Sequence, residues 1–243
     1  MNGQTRSLLR KEWREARWKA AFGAVLLGGA CAIHLRTRMM PDEGAFFFII
    51  GLGGVMLPLL AAIGAVGADR EAASLYFLQA LPVAPWRILA AKLTVAFGVA
   101  LAPLVAGWAV CVAMAGGREI STLLFTGMSA ASVWVALQVI VWTVAFGMRQ
   151  PAEARVGLAG IFVMVAWSLW VFVGDELWVT GHPMMEKILF SFAPWSMLNI
   201  PASGEGLQYW LQVLLPPVVQ TLEAVILFAW AARRFKSLRR SRA

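Results

Sequence analysis

The chain has 243 residues, of which 60% are hydrophobic and only 14% charged, and it carries a formal net charge of +8. A water-soluble domain usually carries about 25% charged residues, so this composition excludes an ordinary soluble enzyme and points to the lipid bilayer. The excess positive charge calls for no nucleic-acid partner, because membrane orientation accounts for its placement, as shown below.

Residues 7–19 are predicted to form an amphipathic helix. Leu9, Trp13, Ala16 and Ala20 recur at intervals of three or four, while Arg10, Arg14 and Arg17 occupy another side. This pattern suits either a helix lying in the membrane interface, its basic side on lipid phosphates, or a charged cap on the first span. The first apolar run, residues 18–35, is near the lower length limit for crossing a bilayer, which is about 17 residues. Lys19 and Arg36 at its ends are expected to extend their charged heads out of the apolar layer. The six basic and two acidic groups of the first 19 residues fit a retained span better than a secretory leader.

The second run, residues 45–68, contains Gly51, Gly53, Gly54 and Pro58. Pro58 removes a backbone donor, so the helix is predicted to break or kink there against a close neighbour. Residues 69–91 then form a polar connection. Within it, residues 71–81 are predicted to be a short helix with an apolar stripe of Leu75, Leu78 and Leu81, with Phe77 beside them. Pro82 and Pro85 bend the chain after it, since each restricts its own φ and its predecessor's conformation. Arg87 and Lys92 are expected at the membrane surface.

Three further runs follow, at residues 93–116 (with Pro103), 121–147 and 156–173. Residues 174–206 read as an external segment, too interrupted for a full span. It is either an ordinary loop or one or two short re-entrant helices, with Met185, Leu189, Phe192 and Trp195 at the headgroup level. The last run, residues 207–232, carries Pro216, Pro217 and Glu223 and ends in a basic tail.

Placed on this layout, 17 of the 21 Lys and Arg residues fall on one side, leaving Arg36, Arg38, Arg118 and Lys187 opposite. Basic residues concentrate in cytoplasmic segments, which predicts cytoplasmic termini and a multi-pass protein of the bacterial cytoplasmic membrane. The fold class expected is all-α and polytopic. Residues 1–243 form one transmembrane domain of six helices, with an N-terminal interfacial helix and a short cytoplasmic helix between spans two and three.

No catalytic, cofactor or metal site emerges from the motifs. The chain has no G-x-x-x-x-G-K-[ST] phosphate loop, no H-E-x-x-H and no closely spaced cysteine pair. Cys31 and Cys111 fall in predicted spans and read as small buried apolar residues. His34 and His182 read as isolated interfacial residues, and Ser168 and Ser191 have no base tied to them by sequence. Glu223 is different: a carboxylate inside an apolar span is costly unless paired, hydrated or protonated. It is read either as a polar contact, for example with Gln220 one turn earlier, or as part of a transport path. Gln138 poses the same choice, because an amide can pair across helices without recognising cargo.

The stretch DREAASLYFLQALPVAPWRILAAKL at residues 69–93, together with LLRKEWREARW at residues 8–18, resembles the permease subunit of a type-2 ABC exporter. In that resemblance Glu71 matches the family's acidic coupling residue, Leu81, Pro82 and Val83 its turn, and Ala91 and Lys92 the start of the next span. Ala84, Pro85 and Trp86 depart from the family's small-polar and basic pattern, and Ala72 and Ala73 from its glycine-threonine-like stretch. The resemblance implies alternating access driven by a separate ABC-type ATP-binding subunit, with Glu71, Leu75, Leu78, Leu81, Pro82 and Pro85 as the coupling surface. It also implies a second copy of the chain, or a related permease, completing the passage. The chain itself would bind no nucleotide, and membrane lipid would be its remaining partner. The alternative is a non-transporting membrane assembly or regulatory protein that uses the same helices for anchoring.

Overall fold

The computed structural model describes residues 3–37, 48, 50–71, 83–114, 122–148, 153–178, 191–192 and 206–240. All of its regular elements are helical: α1 (Gly3–Thr37), a π-helical turn (Ile50–Met56) running into α2 (Leu57–Glu71), α3 (Pro85–Met114), α4 (Thr122–Gly147), α5 (Glu153–Trp178) and α6 (Leu207–Arg240). Among the described residues, four helices contain stretches long and apolar enough to cross a membrane: Arg6–Thr37, Pro85–Ala113, Ala130–Gly147 and Val213–Arg233. Two more apolar helices, Gly51–Val66 and Ala154–Leu169, are shorter.

Successive helices alternate in direction, as their partners show. Along α1, Glu12, Gly23 and Cys31 meet Lys92, Pro103 and Gly107 of α3 in ascending order, so these two helices run the same way. Between them α2 runs oppositely: Leu57 meets Gly23 near its start, and Ala65 meets Lys92 near its end. The core has three parts. One cluster gathers Leu8, Val66, Ile88, Met148, Val156 and Ala231 at the end that holds the start of α1 and the late part of α6. A second joins α2, α4 and α5 through Leu59, Val139 and Trp167. A third joins α1 and α3 through Leu27, Cys31, Leu104 and Cys111.

The outside of this bundle is also apolar. Trp18, Phe22 and Val25 of α1, Leu158, Phe162 and Val165 of α5, and Leu214, Leu222 and Ile226 of α6 are all exposed. Water would penalise such a surface in proportion to its area, whereas hydrocarbon does not. A multi-pass membrane protein follows from helix length, composition and this inside-out pattern together.

Three boundaries differ from the sequence expectation. First, the interfacial helix of residues 7–19 and the span of residues 18–35 are one continuous helix of 35 residues. At about 1.5 Å per residue it is about 52 Å long. Lys19, taken as a boundary, turns its ammonium between α1 and α2. It lies 5.8 Å from the Trp18 ring centroid and against Gly64, where a Cβ would collide with it. Second, α2 continues through Glu71 and α3 already begins at Pro85, so the connection shrinks to residues 72–84. Pro85 fits the first helical turn because its missing N–H has no intrahelical partner there. Ala84 accepts the first backbone hydrogen bond, from Arg87 N at 2.9 Å. Third, α5 continues to Trp178, so residues 174–178 belong to a helix rather than to the external segment.

The break expected at Pro58 takes the form of a π-helical turn just before it. Pro58 cannot close the backbone bond onto Gly54, and the three glycines of Ile50–Met56 allow the widened coil to touch its neighbours closely. A Cβ on Gly53 would lie 2.6 Å from Leu104 Cδ2, and one on Gly54 would lie 3.4 Å from the Ser132 carbonyl oxygen. The turn is thus wedged among α1, α3 and α4.

Close packing of α1 on α3 gives a direct test. A Cβ on Gly23 would lie 2.7 Å from Pro103 Cγ, a rigid ring that cannot move aside, whereas Gly29 has nothing within 4 Å. Gly23→Val should destabilise the detergent-solubilised protein by about 1–3 kcal/mol, and Gly29→Ala should leave it unchanged or slightly more stable. Thermal size-exclusion profiles distinguish the two.

Candidate functional site

The strongest local feature is an ion pair inside the bundle. Leu8, Glu12, Ala16 and Ala20 follow one another at intervals of four along α1, and Leu8, Glu12 and Ala20 are buried. Glu12 therefore lies on the face turned to the core, while Arg6, Arg10 and Arg14 line an exposed groove with Lys11 and Glu15. Lys92, two turns into α3, meets Glu12 there. Its Nζ donates to Glu12 Oε1 at 3.1 Å, to Oε2 at 3.2 Å and to the Ala65 carbonyl of α2 at 2.9 Å. The side chains are only 5% (Lys92) and 8% (Glu12) exposed.

Removing an ammonium and a carboxylate from water costs several kcal/mol each, repaid only with good geometry and further hydrogen bonds. Here the lysine has three acceptors and the carboxylate uses both oxygens. The pair consequently fixes three helices to one another: α1, the late part of α2 and the early part of α3. Those last two are the roots of the connection 72–84. By contrast, the exposed Lys11–Glu15 pair at 3.8 Å contributes little.

A second polar group crosses the middle of α4 and α6. Gln220 of α6 is 0% exposed and Gln138 of α4 is 1% exposed. Gln138 Nε2 donates to the Gln220 carbonyl at 3.2 Å, Trp134 Nε1 donates to Gln220 Oε1, and Gln220 Nε2 donates to the Ser191 carbonyl at 3.1 Å. Ser191 is itself buried, so the described part of the segment after α5 packs into the bundle and supplies a backbone acceptor. Below this layer Trp142 stacks edge-on against Trp167 of α5 at 4.7 Å, and Phe146 meets Trp230 at 5.8 Å. Among the described residues, buried atoms without a hydrogen-bond partner include Gln138 Oε1, Trp142 Nε1, Thr143 Oγ1 and Glu223 Oε2 of α4 and α6.

Of the residues singled out by sequence, Gln138 and Gln220 are brought into contact, and Glu223 lies one turn beyond Gln220 on the same helix. Glu71 is the last residue of α2 and Pro85 the first of α3. Leu75, Leu78, Leu81 and Pro82 lie outside the described residues, as does His182. Cys31 and Cys111 are free and buried, and both belong to the apolar cluster that joins α1 and α3. Ser168 Oγ donates to the Met164 carbonyl at 3.0 Å within its own helix. Among the described residues, no three His, Cys, Asp or Glu side chains form a metal-binding group.

The Glu12–Lys92 pair escaped the sequence reading. Its one local signal is the four-residue spacing that puts Glu12 in line with Leu8, Ala16 and Ala20. A scan against protein-family models and a search of curated proteins found no match to this chain.

Breaking a buried ion pair strands the surviving charge at a typical cost of about 3–5 kcal/mol, whereas replacing both partners with apolar groups is often neutral. Glu12→Leu and Lys92→Met should each lower stability and yield in membranes. The Glu12→Leu/Lys92→Met double variant should recover most of the loss. A double-mutant cycle on thermal stability in detergent measures the difference.

Proposed function

We propose that this chain is the permease subunit of an ATP-driven ABC transporter of the type-2 export class. Its bundle crosses the bacterial cytoplasmic membrane with both termini inside, and a separate ATPase subunit docks on the connection 72–84. The shorter apolar helices, α2 with its π-helical turn and α5, would complete six spans: α2 packs on α3, α4 and α5, and α5 packs on α2 and α4. A second copy, or a related permease, completes the passage.

The observation that carries this reading is where the ion pair lies. The stretch resembling an ATPase-coupling region is rooted in α2 and α3, and Lys92 holds both roots to the basic N-terminal helix. A partner pushing on Glu71 and the Leu75, Leu78 and Leu81 stripe would therefore move three helices together rather than bend one loop. Hydrolysis belongs to the partner, since the chain has no phosphate loop of its own.

The test is partner association with coupled activity. A Walker-motif ATPase should co-purify with the parent chain, and the purified chain alone should not hydrolyse ATP. Leu78→Asp should abolish co-purification by placing an unpaired charge on an apolar contact. Glu71→Lys should weaken association or uncouple hydrolysis from transport while membrane insertion stays normal. If both variants keep parental association and coupled transport, the connection is not the junction. Co-purification with no ATPase under any condition would favour the assembly-protein alternative. Single-cysteine labelling in intact cells checks the topology: Thr37 and Ser203 should label from outside, and Ala73 and Gln150 should not.

A further inference from the structure

We propose that the seam between α4 and α6 beneath the Gln138–Gln220 layer is a binding seat for a protonated amine carried on an apolar body. This deepens the permease reading by assigning a cargo class, and rests on that reading for the cargo's passage.

Gln138 meets Gln220, and Phe146 meets Trp230 further along, so α4 and α6 run the same way through this region. Between those two contacts lie Trp142, about 6 Å beyond Gln138, and Glu223, about 4.5 Å beyond Gln220. By helical rise the two fall at one height along α4 and α6. The polar layer above is knitted by protein hydrogen bonds, but at this level and its upper edge the bonding stops. Among the described residues, Gln138 Oε1 and Glu223 Oε2 are buried acceptors without a partner, and Trp142 Nε1 is a buried donor without one.

Buried polar groups are nearly always satisfied, so such a concentration needs an explanation. The acceptors comprise one amide oxygen and one carboxylate. Their complement is a group with several N–H donors and a positive charge. A carboxylate within a bilayer is stabilised most by a cation brought beside it, and charge-assisted hydrogen bonds are the stronger kind. The aromatic neighbours suit the rest of such a molecule. Trp142 and Trp167 offer ring faces that attract cations and edges that pack apolar bodies. Trp142 Nε1 can donate to an oxygen carried next to the amine. The seat thus asks for charge, N–H donors and an apolar body together.

The experiment measures binding of a naphthyl probe to the purified chain in nanodiscs by equilibrium dialysis, with empty nanodiscs subtracted. Three probes share one ring: naphthylmethylamine, its trimethylammonium analogue, which is charged but lacks N–H, and the neutral naphthylmethanol. The amine should bind most tightly. Glu223→Gln, nearly the same shape without the charge, should weaken amine binding at least about tenfold, and Gln138→Leu by about three- to tenfold. Methanol binding should barely change in Glu223→Gln. Equal affinity of the parent for all three probes, or amine binding unchanged in both variants, overturns the seat. No ATPase is present in this assay, so its failure leaves the permease reading standing and failure of partner co-purification leaves this one standing.

Discussion

A lysine and a glutamate, 80 residues apart in sequence, meet in the interior of a bundle whose other core residues are almost all apolar. Neither charge could remain there alone, so each dictates the position of the other. Because Lys92 also donates to the Ala65 carbonyl, the constraint extends to a third helix. The register of α1 against α3, and the height at which α2 passes them, follow from satisfying one ammonium group. Apolar contacts above it, such as Leu27 and Cys31 on Gly107, then fit in order along the same two helices. Apolar packing alone would leave neighbouring registers close in energy, whereas the ion pair is satisfied in one.

The second polar layer has a different character. At Gln138 and Gln220 the helices are joined by amides, an indole N–H and a backbone carbonyl from Ser191, all neutral groups. Such bonds in a bilayer are modest, averaging about 0.6 kcal/mol each, and can exchange without stranding a charge. The glycine-rich π-helical turn and the proline pair of α6 lie in helices that border α4. One end of the bundle is therefore held by a bonded ion pair, and its middle by weaker polar contacts beside unfilled hydrogen-bonding capacity. In the permease proposed above, force would enter at the ion pair and cargo would pass beside the weaker contacts.

Much of the helical layout was legible because apolar runs of about 20 residues leave a bilayer helix few alternatives. Pro85 reads in the sequence as part of a bend, because it restricts its own φ and its predecessor, whereas the helix starts at that residue, eight before the apolar run at 93. The continuity of α1 was hidden because Lys19 looked like the edge of a span, and nothing local reveals that its head is received between two helices. Gln138 and Gln220 stood out as amides in apolar runs, but their pairing depends on which helices are neighbours. Glu12 was least visible of all. It lies among four arginines and a lysine in the first 17 residues, and only the tertiary fold turns it inward to a lysine that arrives much later.

The central claim is that Lys92 holds α1, α2 and α3 as one body. Spin labels at Arg10 on α1 and Thr94 on α3, both exposed, in a background with Cys31 and Cys111 replaced by alanine, report on it directly. Pulsed electron–electron distance measurement in nanodiscs should give a single narrow distribution for the otherwise parental chain and a clearly broadened one for Lys92→Met. A parental distribution as broad as that of Lys92→Met, or an equally narrow one in the variant, would contradict the account.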